Sequence, residues 1–248
     1  MMMKSSLLIF GCAMALTPGL ARAEGEWTLG LGAGSASGIY HGQKDDAYAI
    51  PYLSYETERF RVGIDGLSYK LVSNEALTFS ILLAPGEKPD FEEYAKKDAR
   101  FAGLKRDMPV ELGVAAEYSF GLFHLGAVAL HDVASASDGY HVEASAGLSF
   151  PVGSGMIDVG VGARMRDKKL NNFLYGVSAS EANGLRAAYD VGNTVEPFVE
   201  LSLAYPISDR LSLVGAFDYS VLDDKVRKSP LVDGKESYSV GLGLIYSF

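Results

Sequence analysis

The stretch Tyr238-Ser239-Val240-Gly241-Leu242-Gly243-Leu244-Ile245-Tyr246-Ser247-Phe248 closes the chain and decides its fold. Successive side chains of an extended strand point to opposite faces. Tyr238, Val240, Leu242, Leu244, Tyr246 and Phe248 therefore share one face, and Ser237, Ser239, Gly241, Gly243 and Ser247 share the other. A run of this length with one apolar and one small polar face is a half-buried strand.

The same period recurs upstream. Over 211–221, Leu211, Leu213, Phe217, Tyr219 and Val221 oppose Ser212, Asp218 and Ser220. Over 195–205, Val195, Val199, Leu201, Leu203 and Tyr205 oppose Glu196, Glu200 and Ser202. Segments 156–166, 140–150 and 110–120 repeat the alternation, as does the first strand, where Trp27, Leu29 and Leu31 oppose Glu26 and Thr28. Strands in soluble sheets are typically about five or six residues long, whereas about nine to eleven tilted residues cross a bilayer. The apolar faces often end in an aromatic, and the opposite faces carry full charges.

The connections fall into two sizes. Thr57-Glu58-Arg59, Asn74-Glu75, the step at Gly121, Val152 to Gly155 and Ser208-Asp209-Arg210 are tight, whereas 36–46, 86–108, 132–139, 167–192 and 223–235 are long. Transmembrane barrels alternate short and long connections. Two short strands in 59–73, split at the Asp65-Gly66 hairpin signal, make the alternation strict; a further strand within 86–108 is the alternative that also restores parity. The expectation is an all-β fold: a single antiparallel transmembrane β-barrel of about 12 strands, with both termini in the periplasm. The loop around 90–106 has the interleaved charges of either a short helix or a solvated outer loop, and 167–192 reads as a polar connection.

Composition sets the limits. Charged residues make up 21% of the 248, and no apolar run past the N-terminus is long enough for a membrane helix. A barrel escapes that test because its alternation averages out. Lys4, the apolar Ser5 to Leu16, the Pro18-Gly19 breaker and Ala21-Arg22-Ala23 form a cleavable export signal. The expected division is signal peptide 1–23 and barrel 24–248. Cys12 after Ile9-Phe10-Gly11 offers a lipidated N-terminus instead, but Phe10 is bulky for that signal. Cleavage at Ala23 removes the single cysteine, leaving no disulfide and no thiol chemistry. A net charge of −9, more negative once Lys4 and Arg22 are gone, argues against nucleic acid.

No nucleotide, zinc-hydrolase or Ca²⁺-loop motif is present, so no cofactor or metal is expected. His131-Asp132 and His141 flank one long connection and are expected to be able to approach each other. With Ser149, His141 is the only opening for a lipid-modifying hydrolase; a polar loop base accounts for both more simply. Candidate lumen charges are Arg61, Glu111, Glu117, Glu143, Arg164, Arg166, Glu196 and Glu200. They either brace the barrel in pairs or line a narrow porin-like channel for small solutes.

Leu174-Tyr175-Gly176-Val177-Ser178 followed by Glu181-Ala182 resembles the signature of the MipA/OmpV family of outer-membrane proteins. Gly139-Tyr140-His141, Ser229-Pro230-Leu231-Val232 and the terminal Tyr246-Ser247-Phe248 are similar to other segments of that family. The resemblance implies an outer-membrane β-barrel of a Gram-negative cell, surrounded by outer-membrane lipid. It further implies a scaffold that joins a lytic transglycosylase to a penicillin-binding protein in peptidoglycan remodelling, without enzymatic activity of its own. Tyr175, Gly176, Val177, Ser178, Glu181 and Ala182 are the motif residues; the expectation is that Gly176 permits a tight bend and Tyr175 packs the loop into the barrel mouth. Tyr246 and Phe248 form the expected C-terminal signal for the barrel-assembly machinery.

Overall fold

The structure is a computed structural model that describes residues 25–248, so the expected signal peptide and Cys12 lie outside the described residues. Twelve antiparallel strands close on themselves, each beside its sequence neighbours. They are β1 (Glu26–Ala36), β2 (Asp46–Glu56), β3 (Phe60–Gly63), β4 (Gly66–Ser73), β5 (Leu77–Pro85), β6 (Val110–Phe120), β7 (Phe123–Asp132), β8 (Tyr140–Val152), β9 (Gly155–Arg166), β10 (Thr194–Pro206), β11 (Leu211–Val221) and β12 (Glu236–Ser247). The seam lies between β12 and β1, in register from Thr28↔Ser247 to Ala36↔Ser239. The backbones of Trp27 and Phe248 exchange both hydrogen bonds, at 3.1 and 3.0 Å.

Alternation fixes what each face meets, and the closed wall shows which face is outside. Leu31, Leu242 and Phe120 are 66%, 56% and 66% exposed, and a continuous belt of leucine, valine and aromatic side chains joins them around the wall. A soluble protein does not present an apolar surface of that extent to water. The belt faces lipid, and the serines, glycines and charges face the lumen. Aromatic pairs ring the short-turn end: Trp27 with Tyr55 at 4.9 Å, Phe120 stacked on Phe123 at 5.8 Å, and Tyr246 beside Phe248 at 6.1 Å.

The split in 59–73 is present as a four-residue β3 and an eight-residue β4. Gly66 at φ +128° supplies a turn conformation that other residues rarely adopt. All the long connections emerge at one end of the barrel, and the start of β1 and Phe248 lie at the other, with most of the tight turns.

The long connections carry short helices: α1 (Phe91–Tyr94), a 3₁₀ turn (Ala99–Phe101), α2 (Lys168–Tyr175) and α3 (Asp224–Arg227). α2 departs from the polar connection expected over 167–192. Asp167 caps it by accepting from Leu170 N at 3.0 Å, and Leu170, Phe173 and Leu174 share one buried face at helical spacing. That pattern is legible afterwards, but eight residues give little periodicity to read.

A charge on the outer face tests the inside-out assignment. Leu242→Arg is expected to destabilise the barrel by roughly 2–4 kcal/mol, the cost of a cation near the midplane. Ser239→Arg, which points into the lumen, is expected to cost much less. Urea titration in lipid vesicles, read by the gel mobility of folded barrel, separates the two; equal losses would contradict the facing.

Candidate functional site

The long connections do not stand apart as separate loops. Ile39 and Tyr40 from 36–46, Phe91, Phe101 and Leu104 from 86–108, Leu170, Phe173, Leu174 and Tyr175 with Val177 and Val191 from 167–192, and Leu222, Val226, Leu231 and Val232 near 223–235 bury one another in a single apolar cluster. This cluster is a cap over the barrel mouth. Full burial of each large side chain contributes about 1.5–3 kcal/mol, which offsets the entropy of ordering the loops. Tyr40 is the hub: its ring lies edge-on to Phe91 at 5.6 Å and beside Tyr175 at 5.9 Å, and its hydroxyl donates to Leu174 O at 3.2 Å. Burial raises the phenols of Tyr40 and Tyr175 well above the ordinary value and pushes Tyr94 up to about 12.

The motif residues sit inside this cap. Tyr175 is 1% exposed and its carbonyl accepts from Ser229 Oγ at 2.6 Å, which ties the motif to the segment 229–232. Gly176 has extended backbone, φ −82°, so no left-handed turn requires it. The reason is close approach: a Cβ there would lie 2.7 Å from both Cα and O of Asn172. Val177 is buried and pairs with Tyr189 through two backbone bonds, at 3.0 and 2.8 Å. Ser178 N donates to Glu181 Oε2 at 2.9 Å, and Ala182 N donates back to Ser178 O at 3.1 Å.

Glu181 connects this loop to its neighbour. Arg106 donates to Glu181 Oε1 at 2.7 Å and to Phe173 O at 2.7 Å, with its guanidinium over the Phe91 ring at 5.3 Å. Burial alone would raise the Glu181 carboxyl, but the bonds from Arg106 and Ser178 outweigh it and hold the carboxyl below the usual value. Arg106 carries no motif in the sequence, and only the folded loops reveal its role.

Beneath the cap the lumen holds most of the expected charges in pairs. Glu143 receives Arg164 through both oxygens, at 2.5 and 3.3 Å, and Arg164 also lies over Phe198 at 5.4 Å. Arg166 bonds Glu196 and lies 3.7 Å from Glu87 of the loop above. His141 sits between Glu111 at 3.6 Å and Glu143 at 3.7 Å. Arg61 bonds Asp65 at 2.7 Å and Tyr52 at 2.5 Å. Among the described residues Glu117 and Glu200 have no ion-pair partner; Glu200 stands directly across from Asp218.

The histidine and serine expectations fail on geometry. His131 points outward and bonds Gly139 O at 2.9 Å, whereas His141 points inward, so adjacent strands hold them on opposite faces of the wall. Ser149 and His141 share the lumen face of β8 but are eight positions apart, roughly 26 Å at the strand rise. Ser149 Oγ instead donates to Asp158 at 2.6 Å, and His124 lies 3.3 Å from the same carboxylate. With the carboxylate between hydroxyl and imidazole, no histidine reaches the serine, and the Ser-His arrangement of a hydrolase is not formed. Among the described residues no group of metal-binding side chains is assembled.

The comparisons with known proteins agree with this architecture. The family model described as MltA-interacting protein MipA matches residues 29–248. The MltA-interacting protein of Escherichia coli (strain K12) is 28% identical, with 100% of each chain covered. The outer membrane protein OmpV of Vibrio cholerae serotype O1 is 25% identical, covering 91% of this chain and 88% of its own. Among solved structures, the translocator domain of autotransporter NalP from Neisseria meningitidis superposes with a TM-score of 0.50 at 8% identity, covering 98% of this chain and 94% of that one. That last likeness is one of fold alone.

Two outcomes follow for the cap. Gly176→Ala forces its new Cβ against backbone and is expected to loosen the cap by about 1–3 kcal/mol, the range for overpacking, while the strands hold. Amide exchange that speeds up in 167–192 but not in β10 would show it. The depressed Glu181 carboxyl contributes stability above its unfolded pKa, about 4.3, and that contribution is lost as pH falls through the lower folded value. Exchange in the same loop, corrected for intrinsic rate, is expected to rise on acidification below that range, and Glu181→Gln is expected to remove the response. A cap indifferent to acid in the native protein would refute the link.

Proposed function

This outer-membrane barrel belongs to the MltA-interacting protein MipA family, and from that membership we propose that it serves as a non-enzymatic scaffold for murein-remodelling enzymes. The observation that carries the reading is full-length similarity to a protein named for its interaction with MltA. The partner this implies is a lytic transglycosylase, with a penicillin-binding protein as a second client. In this reading the chain is exported by cleavage after Ala23, the barrel-assembly machinery reads Tyr246 and Phe248, and both termini lie in the periplasm. The apolar cap supports a closed body over an open pore, because side chains from the long loops pack on one another at that mouth.

A narrow channel is the second reading. Glu200 and Asp218, directly opposite and without a direct ion pair among the described residues, favour it, because like charges across a ladder are otherwise unfavourable and the Arg164 charge acts on both only from beyond contact. Crosslinking in the intact envelope, followed by identification of captured proteins, is expected to recover a lytic transglycosylase. Recovery of no murein enzyme would remove the scaffold reading. Planar-bilayer recordings are expected to show no conductance steps; regular steps would favour the channel.

A further inference from the structure

The long-loop end of the barrel holds its lysines in two ways. Lys96, Lys105 and Lys168 each lie against a carboxylate, that of Glu93, Glu92 and Asp190 in turn. Lys228 and Lys235, in the connection between β11 and β12, are exposed and have no ion pair among the described residues. Both line one cavity of about 310 Å³, together with Asp224, Arg227, Asp233 and Gly234.

The walls of this cavity are fixed from behind. On one side α3 is anchored by Val226, fully buried in the cap, and by Lys225, whose ammonium donates to Asn193 O at 2.6 Å and whose carbonyl accepts from Tyr189 Oη at 2.8 Å. On the other side Asp233 N and Gly234 N both donate to Ile39 O, at 3.2 and 3.1 Å. A Cβ on Gly234 would lie 3.0 Å from Ile39 Cα, so this segment rests directly on the 36–46 connection. Ligand sites are usually preformed in this way, with volumes from about 300 Å³ upward.

Charge selects the ligand. Both carboxylates of the cavity are already engaged, Asp224 with Arg227 inside α3 and Asp233 with His41 Nδ1 at 3.2 Å. The ammonium groups of Lys228 and Lys235 are left over, and together they match a group with nearly two negative charges. A phosphate monoester carries about −1.5 to −2 at neutral pH, whereas a diester carries a single charge. Height selects the source. The last ladder pair of β11 and β12 is Val221↔Glu236, with Val221 on the lipid face, and Lys235 is the next residue. Tyr219 and Tyr238 face each other just below, and tyrosines of a barrel wall collect at the level of the lipid headgroups. We propose that the cavity binds the phosphate monoester of a lipid headgroup in the long-loop leaflet, held by Lys228 and Lys235.

Native mass spectrometry of the full barrel in detergent, with one added lipid at a time, tests the site. Phosphatidic acid, a monoester, is expected to be retained about tenfold more strongly than phosphatidylcholine, with the diester phosphatidylglycerol between them. The Lys228→Gln/Lys235→Gln double variant is expected to lose that preference. Lys168→Gln/Lys169→Gln, which removes the same charge from another long connection, is expected to keep it. No preference in the native protein, or phosphatidylglycerol held as well as phosphatidic acid, would overturn the proposal. Equal losses in the two double variants would also overturn it, since they reveal a diffuse surface charge and no site. Inorganic phosphate alone at the same concentration is expected to leave no adduct; an adduct that the Lys228→Gln/Lys235→Gln variant loses would assign the cavity to soluble phosphate against the lipid. Gel mobility confirms that each variant is folded.

Discussion

Everything in this molecule depends on one constraint: in hydrocarbon, every backbone N–H and C=O needs a protein partner. A sheet meets it only by closing, and closure here is the β12–β1 seam. Leu31, Leu242 and their neighbours can then face lipid because the polar backbone behind them is already satisfied along the ladders. The even strand number follows from the same demand, since both termini must leave at one end for antiparallel strands to meet at the seam.

Closure also turns the usual order of burial inside out. Many large apolar side chains of the strands, Trp27, Leu31 and Phe120 among them, are exposed, and charged ones such as Glu196, Glu111 and Arg166 are among the most buried. Buried charges must be paired or they cost several kcal/mol each, and the lumen pairs Arg164 with Glu143 and Arg166 with Glu196. The ordinary globular core reappears in the loops, where Tyr40, Phe91, Phe101, Leu174 and Tyr175 pack as a small soluble domain would. Thus the two larger apolar regions have opposite surroundings, one facing lipid and one packed within the loops, and Arg166 ties the lumen to the loops by reaching Glu87.

The strands were legible in the sequence because a period of two persists over ten or more residues. Even the four-residue β3 was found, because the alternation of short and long connections demanded it and Asp65-Gly66 marked the turn. The lumen charges were legible for the same reason, since parity alone places Glu143, Arg164 and Glu196 on one side. What sequence could not show was contact between loops. Arg106 and Glu181 are 75 positions apart, and Tyr40 meets Tyr175 only because the strands carry their loops to one end. His131 and His141 misled because nearness along the chain says nothing of face: a period of two carried on from Phe123 and Leu125 puts His131 on the apolar side, opposite His141.

The two ends of the barrel bear differently on a scaffolding role. The cap is the larger surface, and in the proposed orientation it lies outside the cell, away from murein. The opposite end, periplasmic in that orientation, is made of tight turns such as Gly121-Leu122 and Ser208-Asp209-Arg210, rimmed by exposed Phe120, Phe123 and Ile207. Stable protein interfaces bury about 1,200–2,000 Å² in total, and short turns supply little of that by themselves. A murein enzyme held here therefore has to share the aromatic rim with the lipid surface, or gain its strength from being anchored in the same membrane. Confinement raises the effective concentration of two partners without adding a contact, so a weak contact at the turns suffices for a partner that is itself membrane-bound.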